Sequence, residues 1–449
     1  MPEIRTKHAV VGLSELKKGM RILTFLEFAP KYHSLDEKTV RWLAHNFKGS
    51  KVDIVRRASA LELEIGDMLP GDNLQKIHDL PSQLEKITLV SERLIQELES
   101  RGFLKFRVER KIKVLPLERQ KNQADMQRSA RLAEQVQASI ITHEEASEAV
   151  ENLLDNAREG AFNISEVSHY VDAIAGDGKA EAISAMASLK ESDQTYAHCV
   201  EVAAIFHETF YKINSRTHAK VEFHDPKEAL LGGFLHDFGK ARVPKDVLDS
   251  TQKFEKESKE MRLLKSHPSF GAELLTDLNM PDYIINMAHY HHVKLDPTMK
   301  SSYPMVDPKK VRPATYLLSM VDIYQALVGR RRYKKSWTPA DTMKYLDALA
   351  GVEYPQDLFY HFMAVMGKYP ISSLVELNDG RQGFVMNVPE MELERPQVVV
   401  VKNAKGEFLT HHDFVDLALV REMSITKTLD AQEEYGDVAL DIFANLKPS

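Results

Sequence analysis

The chain has 449 residues, 43% hydrophobic and 28% charged, a globular composition too long for one hydrophobic core and consistent with about three domains. Its net charge of −7 excludes broad, non-specific binding to duplex nucleic acid, although a local basic pocket stays compatible. One cysteine (Cys199) excludes internal disulfides, and the lack of both an apolar run of ~18 residues and a signal-peptide core excludes a membrane span, so a cytoplasmic protein is expected.

The first region, residues 1–125, reads as a mixed α/β regulatory domain. Lys18 and Gly19 signal a turn between short segments, and helical patterning is expected through residues 73–100. In "FLKFRVERKIKVL", Phe106, Val108, Ile112 and Val114 stand among charged neighbours, as in a half-buried strand. The polar stretch 118–135 is expected to be a linker running into a helix, with its charges solvated.

The middle region, 126–368, is mostly helical. "EEASEAVENLLDNAREG", "AEAISAMASLKESD", "EMRLLKSHPSFGAELL", "YIINMAHYHH" and "ATYLLSMVDIYQAL" all space apolar residues by three and four. Character changes at Tyr369-Pro370. Two apolar runs flank Asp379-Gly380, and "PQVVVVKNAKGEFL" repeats the pattern around Ala404 to Gly406. Residues 369–449 are therefore expected to be a small β domain, and the fold class is mainly α.

Nine of the 18 histidines lie between positions 198 and 292. Packing does not explain that clustering, whereas metal binding or acid–base chemistry does. Helical phase sorts them. His198 stands four residues before Val202 and seven before Ile205. His236 and Asp237 end the stripe of Leu230, Leu231, Phe234 and Leu235. His267 lies three residues from both Leu264 and Phe270. His291 follows Ile284 by seven and Met287 by four, with His292 beside it, and Asp322 interrupts a stripe that should be buried.

Taken singly, each is more often a satisfied core residue than a ligand. Five helices each offering one inward histidine or carboxylate reverse that reading, because shared ligation satisfies all of them. Imidazoles and carboxylates without thiolate suit iron, manganese, nickel or zinc in a reactive site. Seven candidates are too many for one ion and suit two, bridged by a carboxylate, an arrangement fitted to displacement at phosphorus.

"LLGGFLHDFGKARVP", "LLKSHPSFGAELL", "MAHYHHVKLDP" and "LLSMVDIYQALVGRRRYKKSWTP" resemble, in order and spacing, the HD-GYP domain of bacterial cyclic di-GMP phosphodiesterases, over roughly residues 140 to 350. The resemblance implies an all-helical HD-superfamily domain. The carboxy-terminal region is similar to a β domain that often follows it, and "LSELKKGMRIL" is similar to the start of an amino-terminal domain of such proteins.

By that resemblance, His198, His236 and Asp322 hold a first divalent ion, and His267, His291 and His292 a second. Asp237 bridges them. Iron or manganese is expected, with nickel, zinc or magnesium compatible. Lys240, Arg331 and Lys334 would meet substrate phosphate, and Tyr303 the substrate, with Asp237 and Lys240 as the catalytic pair. A solvated basic turn is the plainer account of Arg331 and Lys334. Gln194 stands where three-metal members carry a glutamate, so two ions are expected.

The signature loop departs from the family's His-His-Glu-Arg-x-Asp-Gly-x-Gly-Tyr-Pro. Here "HHVKLDPTMKSSYP" has Val293 for the glutamate, Pro297 for a glycine, Ser302 for the last glycine and about three inserted residues. Gln325 stands where an aspartate is usual. The expected activity is slow hydrolysis of cyclic di-GMP to linear pGpG or GMP. A metal-containing binder of cyclic di-GMP or a protein-interaction module stays open, as does a phosphohydrolase for another nucleotide. A homodimer, and signalling partners at the flanking domains, are compatible.

Overall fold

The computed structural model describes residues 4–12, 21–24, 51–56, 59–64, 73–77, 88–89 and 105–113 as backbone, and residues 116–448 except 162, 177, 191–194, 217–225, 249, 251, 253, 330–335 and 390–391. Side chains are described from residue 123 onward. Contacts divide the chain into two compact units, residues 1–124 and 125–449.

In the first unit, β1 (Ile4–Gly12), β2 (Arg21–Thr24), β6 (Thr88–Leu89) and β7 (Lys105–Lys113) form a sheet in the order β1-β7-β2-β6. The strand expected in "FLKFRVERKIKVL" is β7, which pairs antiparallel with β1 from Ile4↔Lys113 to Gly12↔Lys105. A second sheet orders β4 (Ser59–Glu64), β3 (Lys51–Arg56) and β5 (Asn73–Ile77). The helical pattern expected over 73–100 is thus corrected at β5 and β6. β5 is set by pairing with β3, Val52 opposite Ile77, a non-local contact that its short polar sequence does not announce. Lys18 and Gly19 lie outside the described residues.

The second unit is mainly helical. α1 (Pro116–Arg158) runs unbroken for 43 residues, so the linker expected at 118–135 is helix instead. Its buried Ser129, Leu132, Ala133 and Val136 recur at three- and four-residue spacing, and the charged residues occupy the other faces. After it come α2 (Ser165–Ala175), α3 (Lys179–Met186), α4 (Thr195–Arg216), α5 (Pro226–Leu235), a 3-10 turn (Phe238–Arg242) and α6 (Lys245–Leu248). α7 (Lys259–Asp277), α8 (Asp282–Tyr290), α9 (Pro313–Val328), α10 (Pro339–Leu349) and α11 (Gln356–Met366) complete the helices before the strands. Local chemistry starts several of them. Ser258 caps α7 by accepting from Met261 N at 3.1 Å, and Thr338 caps α10 ahead of Pro339.

Close backbone approach brings α4 and α5 together. A Cβ at Gly233 would stand 2.5 Å from Ala203 Cα, so only glycine lets the two axes meet. That approach sets the His198 and His236 rings 5.5 Å apart.

Residues 369–449 pack into the same unit. β8 (Leu374–Leu377), β9 (Gln382–Asn387), β10 (Gln397–Lys402), β11 (Phe414–Asp416) and β12 (Ile425–Leu429) form an antiparallel sheet ordered β11-β10-β9-β8-β12. Gly380 takes a positive φ of 85° in the β8–β9 turn. Val399 and Val401 face the helices with Phe384, while Val398 and Val400 join Val375 and Val415 on the other face. Both faces are covered, which is why "VVVV" does not alternate. α12 (Ala431–Tyr435) and α13 (Ala439–Ala444) also join the helical core through Ala431, Ala439 and Phe443.

Candidate metal centre

Five helices deliver side chains to one point. α4 supplies His198, and the turn ending α5 supplies His236 and Asp237. α7 supplies His267, the end of α8 supplies His291 and His292, and α9 supplies Asp322. All seven candidate ligands named from the sequence meet there. Among the described residues, His198, His236 and Asp322 converge as one ligand group, and His267, His291 and His292 as another. His236, Asp237 and His291 form a third, between them.

Asp237 faces both triads with different oxygens. Its Oδ1 lies 3.1 Å from His267 Nε2 and 3.8 Å from His291 Nε2. Its Oδ2 lies 3.4 Å from His236 Nε2 and 3.8 Å from His198 Nε2, and also pairs with the Lys240 ammonium. Asp322 Oδ1 stands 3.1 Å from His198 Nε2, and Oδ2 stands 4.0 Å from His292 Nδ1.

Backbone carbonyls fix three of the imidazoles. His236 Nδ1 donates to Gly233 O at 2.6 Å, and His291 Nδ1 to Ala288 O at 3.0 Å, both carbonyls left over at helix ends. His267 Nδ1 donates to Leu264 O at 2.6 Å. That carbonyl lacks its usual helical donor because the residue four further on is Pro268, which has no N–H. With a proton on each Nδ1, the neutral rings present bare Nε2 lone pairs to one another.

The resulting arrangement suits a cation. His267 Nε2 and His291 Nε2 face each other at 3.2 Å, and both approach the Asp237 carboxylate. His236 Nε2 is buried with no hydrogen-bond partner among the described residues. Buried acceptors aimed at one another are costly, and a divalent ion satisfies them together. The donor set therefore fits hard-to-intermediate divalent ions.

Electrostatics agree. Burial pushes the His291 imidazole down to about 3, with His236 and His267 adding to the shift. Burial also pulls His236 and His292 down. Burial alone would raise Asp237, but Lys240, then His236 and His267, outweigh it and hold the carboxyl well below its usual range. Asp322 is lowered in the same way, against burial, by His198 and the neighbouring imidazoles. Burial, then Asp322 and Asp237, push the Tyr303 phenol up, so it remains a donor at neutral pH.

A pH effect follows for the metal-free protein. His236, His291 and His292 have lowered folded-state values, so folding is favoured above the unfolded imidazole value of about 6.5. As pH falls below that, the unfolded chain takes protons that the folded rings refuse. Each such histidine then removes about 1.4 kcal/mol per pH unit until its folded value is reached. Urea unfolding in chelator should show a falling midpoint from pH 7 to 5. A midpoint that holds or rises would contradict it.

Tyr303 lies against this cluster, its ring 4.5 Å from that of His292. The loop before it is laced down. Val293 is buried, and Leu295 N and Asp296 N donate to Glu353 O and Val352 O, each at 2.9 Å. Lys294 pairs with the Glu353 side chain, and Tyr303 N donates to His292 O at 3.3 Å. Pro297 stays exposed. Gln194, Arg331 and Lys334 lie outside the described residues.

Three residues escaped the sequence reading. Glu201, His143 and the half-buried Lys190 join Gln325, which the sequence marked only as a departure from the family's aspartate, in a polar chain behind His198. One signal was available: Glu201 stands three residues after His198, a charge inside the apolar run "CVEVAAIF".

Residues 195–327 match the HD domain family. The chain is 29% identical over 294 residues to a cyclic di-GMP phosphodiesterase of Pseudomonas aeruginosa, covering 64% of this chain and 68% of that one. It is 32% identical over 120 residues to the cyclic di-GMP phosphodiesterase response regulator RpfG of Xanthomonas campestris, covering 26% and 30%. A solved HDG"Y"P protein of Bdellovibrio bacteriovorus shares 16% identity at a TM-score of 0.38, covering 79% of this chain and 98% of that one. No described helix is long and apolar enough to cross a membrane. Residues 195–327 are therefore an HD domain.

Proposed function

We propose that this protein is a two-metal phosphodiesterase that hydrolyses cyclic di-GMP to linear pGpG or GMP. The observation that supports the reading is the set of imidazole Nε2 atoms clustered around the Asp237 carboxylate. The names of the relatives supply the substrate.

His198, His236 and Asp322 would hold one ion and His267, His291 and His292 the other, with Asp237 shared. Iron or manganese suits this imidazole-rich set. Bound there, two such ions supply Lewis acidity and lower the pKa of water enough to give hydroxide at neutral pH.

The chain's own groups do the rest. Lys240, whose side chain is 20% exposed beside Asp237, offers its ammonium to a phosphate oxygen. Tyr303 keeps its proton and is a hydrogen-bond donor for the substrate. Arg331 and Lys334 bring further charge to the phosphodiester. Arg331→Ala with Lys334→Ala should leave metal content unchanged and weaken cyclic di-GMP binding, by about 1.5–3 kcal/mol for each charge-assisted phosphate hydrogen bond removed. Equal affinity in the double variant would make this turn a solvated basic face. Residues 1–125 would act as the regulatory domain.

The direct test is metal analysis of anaerobically purified protein, followed by hydrolysis of a cyclic dinucleotide panel. Two ions per chain and cleavage of cyclic di-GMP support the reading. Tight binding without cleavage would make the protein a receptor, and preference for another nucleotide would reassign the substrate.

The laced loop bears on rate. Its backbone ties to Val352 and Glu353 hold a segment in which Pro297 offers no N–H to a ligand. Misplacing a substrate by about 1 Å costs on the order of a hundredfold in rate. Replacing Val293 to Pro304 with Glu-Arg-Leu-Asp-Gly-Ser-Gly-Tyr-Pro should therefore raise the turnover number. A fall instead would mark the long loop as fitted to this protein's own substrate.

A further inference from the structure

We infer that Gln325, Glu201 and His143 are positioning residues that set the tautomer of His198, and so the strength of the ion site to which His198 belongs; the inference rests on His198 being a metal ligand. His198 lacks the device that fixes His236, His267 and His291. Among the described residues its Nδ1 meets no backbone carbonyl but the side-chain oxygen Oε1 of Gln325. A side-chain amide can flip, offering either an acceptor or a donor. Flipped, it would present N–H to His198, leave Nδ1 bare and move the ring proton to Nε2, where it blocks ligation.

The rest of the chain forbids the flip. Gln325 Nε2 donates to Glu201 Oε2, and a carboxylate only accepts. The other oxygen of Glu201 lies 3.1 Å from His143 Nε2, whose Nδ1 lies 2.9 Å from Lys190 Nζ. The lysine donates to Nδ1, so His143 carries its proton on Nε2 and donates to Glu201. Every bond then has one direction, and the directions converge on Glu201. Glu201, His143 and Gln325 are all buried, so water does not supply alternative partners. Gln325 is thus an insulated connector, with His143 anchoring it to α1, far from His198 in sequence.

The test is to titrate Mn2+ into metal-free full-length protein, following free Mn2+ by its EPR signal and thermal unfolding in parallel. Glu201→Gln lets the new amide donate to Gln325 Oε1 and favours the flipped state. Gln325→Glu sets two carboxylates together. Each should weaken one of the two Mn2+ sites about 10–100-fold, the usual effect of losing a partner behind a ligand. The double variant E201Q/Q325E again gives every bond one donor and one acceptor at unchanged net charge. The new amide at position 201 donates to the new carboxylate at position 325, reversing that one bond, and the carboxylate still accepts from His198 Nδ1, so wild-type affinity should be recovered to within a few-fold.

A purely structural role would lower the unfolding temperature of the single variants while leaving both Mn2+ affinities intact, which would overturn the proposal. So would a double variant that regains stability but not affinity. Wild-type protein that takes up no Mn2+ would sink the metal reading itself, and this inference with it. Two tight sites in the wild type and in all variants would sink the positioning role alone.

Discussion

Asp237→Asn is expected to release at least one ion and to abolish measurable hydrolysis while the helical unit stays folded. Asp237 places each of its two oxygens within 3.8 Å of two imidazole Nε2 atoms, Oδ1 toward His267 and His291, Oδ2 toward His198 and His236. An amide keeps the shape, removes the negative charge and turns one oxygen into a donor aimed at an electron-poor centre. Its nitrogen would find bare Nε2 acceptors nearby, so the metal-free fold has compensation and the loss falls on the ions. Lys240, partly exposed, can turn to water. Metal analysis beside the wild type reads the result. Two tightly held ions per chain in the variant would refute the central place given to Asp237.

Gly239→Ala should damage fold and site together. Gly239 lies in the 3-10 turn just after the His-Asp pair. A Cβ there would stand 1.9 Å from His267 O and 2.3 Å from Gly271 N, both backbone atoms of α7. Neither can swing aside as a side-chain tip would, so α7 has to move, and His267 moves with it. Overpacking costs about 1–3 kcal/mol and occasionally more, roughly 2–4 °C in Tm per kcal/mol for a unit of this class. The expected outcome is a Tm lower by several degrees and weaker binding of the ion near His267. Gly176→Ala is the control, because nothing lies within 4 Å of its added Cβ and no positive φ is needed. If Gly239→Ala matched Gly176→Ala in Tm and metal content, the close approach would have no energetic weight.

How far the sequence reached can be read from particular residues. The helices of 126–368 repeat apolar residues over many turns, so α7, α8 and α9 were legible from periodicity. Six of the seven clustered residues were legible for the same reason, since a polar group in phase with an apolar stripe must point inward; His292 was marked only by standing beside His291. β5 and the start of α1 were not. β5 is a five-residue segment shaped by its pairing with β3. The start of α1 is polar enough that only its buried stripe, from Ser129 onward, separates a helix from a linker.

The sequence by itself determined that five helices would each turn a histidine or carboxylate inward, because helical phase is a local property of the chain. It also determined that Pro268, next to His267, leaves the carbonyl four residues back without its helical donor, since proline has no N–H wherever it stands. Only the tertiary structure decided that the two oxygens of Asp237 divide between two triads, and that "VVVV" is buried on both faces by helices on one side. It alone joined His143, Glu201 and Gln325 behind His198, across 58 and 124 residues of sequence. Those outcomes depend on contacts between distant segments, and on which polar group has no other partner once water is excluded.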